Sequence, residues 1–328
     1  MDRNSLEQQL ERDGRARTTL SLYRYGHVAN PDFFRDHLFS VWQPLGVLGR
    51  IYVSGEGINA QLSLPTENLD AFRTTLDHID WLRGVRLNIA IEGDDKSFLK
   101  LIIKVRDKIV ADGLDDDAFD ATDCGVHVSA SEFNTLAQDP DTIVVDMRNH
   151  YESEVGHFKG AILPAAETFR DEIREVEDLL EAQRDQNIVL YCTGGIRCEK
   201  ASALMQSQGF DEVYHLKGGI LKYLEDIPQE DSSWQGECFV FDGRVAVDHD
   251  LQPGQYGMCH ACRMPLAPQD LSHPDYAPGI SCHHCRDGQD PQQRARFMER
   301  QKQVRLAAER GEAHIGAAAR DSRKSRDA

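Results

Sequence analysis

The 328-residue sequence predicts a multidomain α/β protein: a split α+β sandwich, then a parallel-sheet α/β domain, then a small cysteine-rich segment with a basic helix. Three observations carry this. Elements in the order β-α-β-β-α-β occupy residues 18–115. Short runs that are apolar on both faces alternate with helical segments over 126–228. Two Cys-x2-Cys pairs fall within 229–290, ahead of a basic stretch at 291–328.

In the first domain, "TTLSLYRY" reads as a strand. "NPDFFRDHLFSVWQPLG" reads as a helix, with Asn30 as N-cap, Pro31 at the first helical position, and Phe33, Phe34, Leu38, Val41 and Trp42 at helical spacing. "GRIYVSGEGINAQLSLP" gives two strands around "SGEG", where glycines permit a tight reversal. "TENLDAFRTTLDHI" is a second helix with Thr66 as N-cap, and "SFLKLIIKVRDKIV" closes with one or two strands. That order suggests a ferredoxin-like sandwich. "ADGLDDDAFDATDCG" (111–125) reads as an acidic linker. Beyond it, "IVVDMR" (143–148), "AILPA" (161–165), "IVLYC" (188–192) and "VYHL" (213–216) have the two-sided apolarity of a buried parallel sheet with helices on both faces. "ECFVFDGRVAVDH" carries a hairpin signal at Asp242-Gly243.

The apolar runs are strand-sized, far below the ~20 residues that cross a bilayer, and the N-terminus shows no apolar signal region, so the expectation is a cytoplasmic protein without membrane contact. Eight cysteines in that setting are better read as nucleophiles or metal ligands than as a disulfide framework. Cys124 and Cys238 are isolated, Cys192 and Cys198 share one short stretch, and Cys259, Cys262, Cys282 and Cys285 cluster. Net charge is −18, which argues against nucleic acid. Residues 291–328, however, hold ten Arg/Lys against five Asp/Glu, a net of +5 that leaves about −23 on the other 290. A basic tail on an acidic body can hold a polyanion locally, and it can equally be a solvated helix.

Ligands of parallel sheets bind at the carboxyl ends of strands, and "YCTGGIRC" (191–198) lies at such an end. Cys192 opens a strand-to-helix loop. Gly194 and Gly195, with Thr193 and Ile196, let the backbone curl so that several N–H groups point inward, and the following helix adds positive potential. Such a cradle holds a sulfur as thiolate, and Arg197 supplies a permanent positive charge. Cys198, one turn into the helix, is open to two readings: a resolving thiol for Cys192, or a half-buried packing residue.

These residues resemble a rhodanese domain over about 126–228. The active-site loop is similar to Cys-x-x-Gly-x-Arg, and Asp146, Arg148, Glu152, Gly156, His157, Gly160 and Ala161 fall on the family's upstream block, with Phe158 where isoleucine is common. "LKGGI" (216–220) resembles the closing strand end. Phosphatases that share this fold need Arg six positions after Cys; here Arg197 is the fifth and Cys198 the sixth, which fits the shorter, sulfur-handling ring. The resemblance implies a Cys192 persulfide stabilised by loop N–H groups and Arg197, with Asp146 and Arg148 holding the sheet end together.

"CHAC" and "CHHC" give Cys-x2-Cys, nineteen residues, Cys-x2-Cys, a spacing suited to a tetrahedral structural zinc on Cys259, Cys262, Cys282 and Cys285. His260, His283 and His284 are competing ligands. Zinc would replace a core that so short a segment cannot build.

With "GEGIN" (55–59), "CTGGIRC", "CHAC" and "RARF", the whole chain over roughly 16–312 resembles the bacterial tRNA uridine hydroxylases that carry a central rhodanese domain. The resemblance implies oxygen-dependent formation of 5-hydroxyuridine at wobble position 34 in the anticodon loop, with molecular oxygen as co-substrate and Cys192 essential. The residues themselves point to sulfur chemistry, so transfer of sulfur from thiosulfate or a protein persulfide is the rival reading, and an inert zinc-dependent adaptor is a third. The sequence shows no flavin or NAD fingerprint and no 2-His-1-carboxylate iron set. Candidate tRNA contacts are Tyr23, Arg24, Tyr25 and His27, able to stack on or pair with loop nucleotides, and Arg294, Arg296, Arg300, Lys302 and Arg305 toward phosphates.

Overall fold

The computed structural model describes residues 6, 10, 12–89, 98–115, 118–241 and 244–310. The described residues up to Asn149, together with Gly160–Pro228, form one compact unit; His150–Lys159 with the described residues from Gln229 onward form a second.

The first unit begins with β1 (Arg17–Tyr25), α1 (Pro31–Trp42), β2 (Leu48–Ser54), β3 (Gly57–Pro65), α2 (Leu69–Asp77), β4 (Asn88–Ile89) and β5 (Leu101–Val105). Its sheet order is β4-β1-β3-β2-β5, antiparallel throughout except for the β2–β5 pair. The first four strands thus have the ferredoxin-like arrangement. The strand that completes it is the two-residue β4, whereas "SFLKLIIKV" supplies a fifth strand on the opposite edge. Alternation along β1 to β3 sends Leu20, Leu22, Ile51, Val53, Ile58, Ala60 and Leu62 into a core closed by Leu38 and Trp42 of α1 and Phe72 and Leu76 of α2. Trp42 keeps its indole N–H satisfied by Thr75 Oγ1 at 3.0 Å while it packs on Phe72.

The local cap signal holds at α1, where Asn30 accepts the Phe33 N–H at 3.0 Å. It fails at α2. A 3-10 turn over Thr66–Asn68 precedes that helix, so Thr66 does not cap it; its hydroxyl pairs with Thr18 instead.

The chain continues through β6 (Val126–Val128), α3 (Ala130–Gln138), β7 (Thr142–Asp146), α4 (His150–Ser153), β8 (Gly156–Phe158), α5 (Phe169–Leu180), β9 (Asn187–Tyr191), α6 (Ile196–Ser207), β10 (Val213–Leu216) and α7 (Gly219–Asp226). Strands β6-β10-β9-β7 form a wholly parallel sheet. On one face, Ile188 and Leu190 of β9 meet Ile173, Val176 and Leu180 of α5 and Ala201, Leu204 and Met205 of α6. On the other, Tyr191 and Tyr223 set their rings edge-on to Phe133. "AILPA" is not a strand: only Ile162 bridges to the sheet, at Val145, and Pro164 has no N–H to extend a ladder. The edge strand β6 is not legible in the sequence, being too short and too polar to register as an apolar run.

The stretch expected to be an acidic linker is packed. Asp112 is buried, and Leu114, Phe119 and Ala121 join apolar clusters.

In the second unit β8 pairs with β11 (Trp234–Gly236), β12 (Cys238–Phe239) with β13 (Ala246–Val247), and β14 (Gly257–Met258) with β15 (Pro265–Leu266); α8 (Pro291–Glu309) follows. The flanks of the expected hairpin pair as antiparallel strands, while its turn at Asp242-Gly243 lies outside the described residues, as does the tail beyond 310. No helix among the described residues is long and apolar enough to cross a membrane.

Candidate active site

β9 ends at Tyr191, and Cys192 is the first residue beyond it, 1% exposed. The loop turns at Gly195, whose φ of 102° is left-handed and which stands at the N-cap of α6. A side chain there would be strained, and its Cβ would fall 2.5 Å from Tyr23 Oη. The turn aims the Gly195 N–H at Cys192 Sγ, 3.1 Å away. Burial opposes a charge on this sulfur. Hydrogen bonding from the Cys198 thiol, the Arg197 guanidinium and the N–H groups of Cys198 and Arg197 outweigh that cost and lower the Cys192 pKa to about 6. Cys198 responds in the opposite sense: burial and the neighbouring Cys192 push its thiol well above the ordinary range. The pair therefore divides into a thiolate at Cys192 and a proton-bearing donor at Cys198.

The loop is clamped from three sides. The Cys192 and Thr193 carbonyls accept from Ile220 N–H at 3.0 Å and Leu221 N–H at 3.2 Å, at the start of α7. Gly219 makes that approach geometrically available, since a Cβ there would lie 2.4 Å from Cys192 O. From β1, Tyr25 Oη donates to Ile196 O at 3.1 Å, and Tyr23 Oη donates to Glu199 Oε1 at 3.0 Å. Beneath the loop, Asp146 and Arg148 form a fully buried two-pronged ion pair at 2.8 and 2.6 Å, and Met147 N–H bonds Tyr191 O. That arrangement agrees with a role in holding the sheet end.

One further device is invisible to motif reading. Lys200, fully buried on α6, sits 2.6 Å from Asp112 Oδ2 and 2.8 Å from Glu56 Oε2, and donates to Val110 O at 3.0 Å. Glu56 is the acidic centre of "GEGIN", so this motif anchors the first domain to the active-site helix. No sequence signal marks the pair, because its members are 144 residues apart.

The sequence-predicted tRNA contacts fall in different places. Tyr23 is bound into the loop, and Arg24 Nη1 donates to the carbonyls of Trp81 and Arg83 at 3.2 and 3.0 Å. His27 is exposed beside Asp120. On α8, Arg296, Lys302 and Arg305 are exposed, Arg294 is half-buried, and Arg300 donates to the carbonyls of His260 and Gly279.

In the second unit the sulfurs of Cys259, Cys262, Cys282 and Cys285 all lie within 4.8 Å of one another. Tetrahedral zinc with Zn–S bonds of ~2.3 Å demands S···S edges of ~3.8 Å. Cys262–Cys282 at 3.7 Å and Cys282–Cys285 at 3.8 Å meet that demand, so the donor set fits the ion. Gln289 Nε2 donates to Cys285 Sγ at 3.3 Å, an outer contact suited to a thiolate ligand.

Residues 17–109 match the UPF0176 acylphosphatase like domain and residues 129–226 the rhodanese-like domain. Among solved structures, a rhodanese-like domain from Anabaena sp. is 22% identical over 34% of this chain and 78% of its own, with a TM-score of 0.28. The BH2092 protein of Bacillus halodurans is 22% identical over 34% of this chain and 77% of its own, also with a TM-score of 0.28. These likenesses are too distant to bear on function. A curated protein of Leptospira interrogans named tRNA uridine(34) hydroxylase is 50% identical over 261 residues, 78% of this chain and 70% of that protein. With its acylphosphatase-like and rhodanese-like domains in the same chain, this protein belongs to the tRNA uridine(34) hydroxylase family.

Proposed function

We propose that this chain is an oxidoreductase that converts uridine 34 of tRNA to 5-hydroxyuridine with molecular oxygen, in the cytoplasm, and that Cys192 carries the chemistry. The observation that supports it is the pairing of family membership with a buried thiolate at the carboxyl end of a parallel strand. C5 of uracil is a poor nucleophile until a group adds at C6. Cys192 thiolate adds there, and the electron pair of the C5–C6 bond moves into an enolate that makes C5 reactive toward dioxygen. Arg197 and the loop N–H groups hold the thiolate before addition and after its release. Placing one oxygen atom on C5 and taking the other to water consumes two electrons and two protons. The Cys192 thiolate and the Cys198 thiol supply the two electrons and one of the protons when the released Cys192 closes a disulfide with Cys198. Water supplies the other proton, and a cellular thiol reductant reopens the disulfide for the next turnover. Zinc on the four clustered cysteines would shape the segment preceding α8, and the exposed Arg296, Lys302 and Arg305 are the proposed phosphate contacts, with Arg294 beside them.

The test is mass spectrometry of tRNA nucleosides from cells lacking this protein, complemented with wild type or Cys192→Ser. Loss of 5-hydroxyuridine and its derivatives, restored only by wild type, is the expected result. Loss of thiolated uridine with 5-hydroxyuridine intact would transfer the assignment to sulfur transfer.

A further inference from the structure

Cys124, isolated in the sequence, has two companions in the fold. One ring nitrogen each of His127 and His215 and the Cys124 sulfur all lie within 4.8 Å of one another. The sheet makes this meeting: His127 on β6 is the register partner of His215 on β10, and their rings stand 4.0 Å apart. Cys124 lies just ahead of β6.

The second nitrogen of each ring is already held. His215 Nε2 lies 3.2 Å from Gly125 O, and His127 Nε2 lies 3.1 Å from Glu199 Oε1. A carbonyl and a carboxylate can only accept, so each Nε2 is engaged as a donor and Nδ1 is the nitrogen of each ring left to meet an ion. His215 is 1% exposed, and its Nδ1 has no hydrogen-bond partner among the described residues. A buried, orphaned imidazole nitrogen beside a thiol and a second imidazole is costly unless something binds it. Histidines that ligate metals typically donate their other N–H to a carbonyl or a carboxylate, and both do so here.

We propose that Cys124, His127 and His215 bind a divalent transition-metal ion of borderline softness, such as zinc or ferrous iron, through the sulfur and the two Nδ1 atoms. The donor set of one sulfur and two nitrogens suits such ions, and three protein ligands leave one coordination position open. Glu199 then has two tasks. It orients the His127 ring, and it receives the Tyr23 hydroxyl that lies against Gly195 of the active-site loop. Metal binding would therefore fix the Glu199–Tyr23 pair and with it one wall of the loop. The site shares no ligand with the four-cysteine cluster, and the reaction proposed for Cys192 takes no step on it.

The experiment measures zinc in the purified full chain, and zinc affinity by competition with a chromophoric chelator. Wild type should hold two equivalents. His127→Ala, a partly exposed position that should leave the fold intact, should retain one, as should Cys124→Ser. Cys259→Ser/Cys262→Ser should lose the other equivalent instead. Glu199→Gln should weaken the first site by about 10- to 100-fold, the usual effect of losing an outer-shell acceptor. Iron measured in the same preparations decides which ion occupies the site in cells. A wild-type chain whose zinc and iron together amount to a single equivalent, or a His127→Ala chain that keeps two with an unchanged melting temperature, overturns the proposal.

Discussion

The Lys200 ammonium lies 2.6 Å from the Asp112 carboxylate, with both side chains fully buried. It joins the segment after the N-terminal sandwich to the helix that carries Arg197 and Cys198. Removing one partner of a buried pair costs up to about 3–5 kcal/mol where it strands the other charge. Without Lys200, Asp112 keeps, among the described cations, only Lys108, 3.0 Å from its Oδ1. Lys200→Met should therefore destabilise the chain by up to roughly that amount, read by urea denaturation. Lys200→Met combined with Asp112→Leu and Glu56→Gln should recover part of the loss, because of the charges in this network only Lys108, partly exposed and also bonded to the Leu114 carbonyl, then loses its carboxylate.

The Cys192 pKa of about 6 predicts the pH dependence of its reactivity. The folded value lies below the ordinary thiol value, so the thiolate is present above pH 6 and is lost as pH falls through it. Carboxymethylation of Cys192 in the native protein should rise with a midpoint near pH 6 and level off by about pH 7.5. Cys198→Ala removes a donor to the thiolate and should move the midpoint upward. An unchanged midpoint in that variant would show that Arg197 and the loop N–H groups suffice.

The two cysteines should also separate by outcome. Cys192→Ser should abolish 5-hydroxyuridine formation. Cys198→Ser should not complete even a first turnover without an added thiol, because half of the reducing dithiol is gone, and an external dithiol should restore turnover. Full multiple turnover of Cys198→Ser without added thiol would remove the disulfide step.

Chelation should act on the second unit through its four cysteines. Its buried apolar groups beside the cluster are few, chiefly Leu266 and the cysteines themselves. Prolonged treatment with a strong chelator should therefore expose four thiols to Ellman's reagent and loosen residues 257–290 to proteolysis, and added zinc should reverse both.

If the basic helix holds tRNA, the logarithm of the binding constant should fall linearly with the logarithm of salt concentration. On duplex regions the slope should be about −0.9 for each phosphate the protein neutralises. Arg296→Ala and Lys302→Ala should each make that slope shallower by about 0.9. A flat salt response would remove α8 from the interface.

Features that depend on neighbours in the chain could be read from the residues alone. The α1 cap at Asn30, the β2–β3 reversal, the two-sided apolarity of β7, β9 and β10, and the Cys192–Arg197 ring all rest on residues within a few positions of one another, and local sterics dictate them. The same holds for the paired cysteine knuckles, whose internal spacing sets the chelate.

What depends on distant pairings emerged from the fold. Strands β4 and β6 are too short to generate a pattern of their own and exist because a neighbouring strand offers a ladder. The acidic stretch 111–125 reads as solvent-exposed until Lys200 is folded against Asp112, since a carboxylate is buried only with its counter-charge. Which of Cys192 and Cys198 ionises follows from where the Gly195 N–H and the Arg197 guanidinium converge, a matter of three-dimensional field rather than composition. Cys124 and His127 are far from His215 in the chain and meet it because β6 and β10 lie side by side in parallel register, which no local pattern encodes.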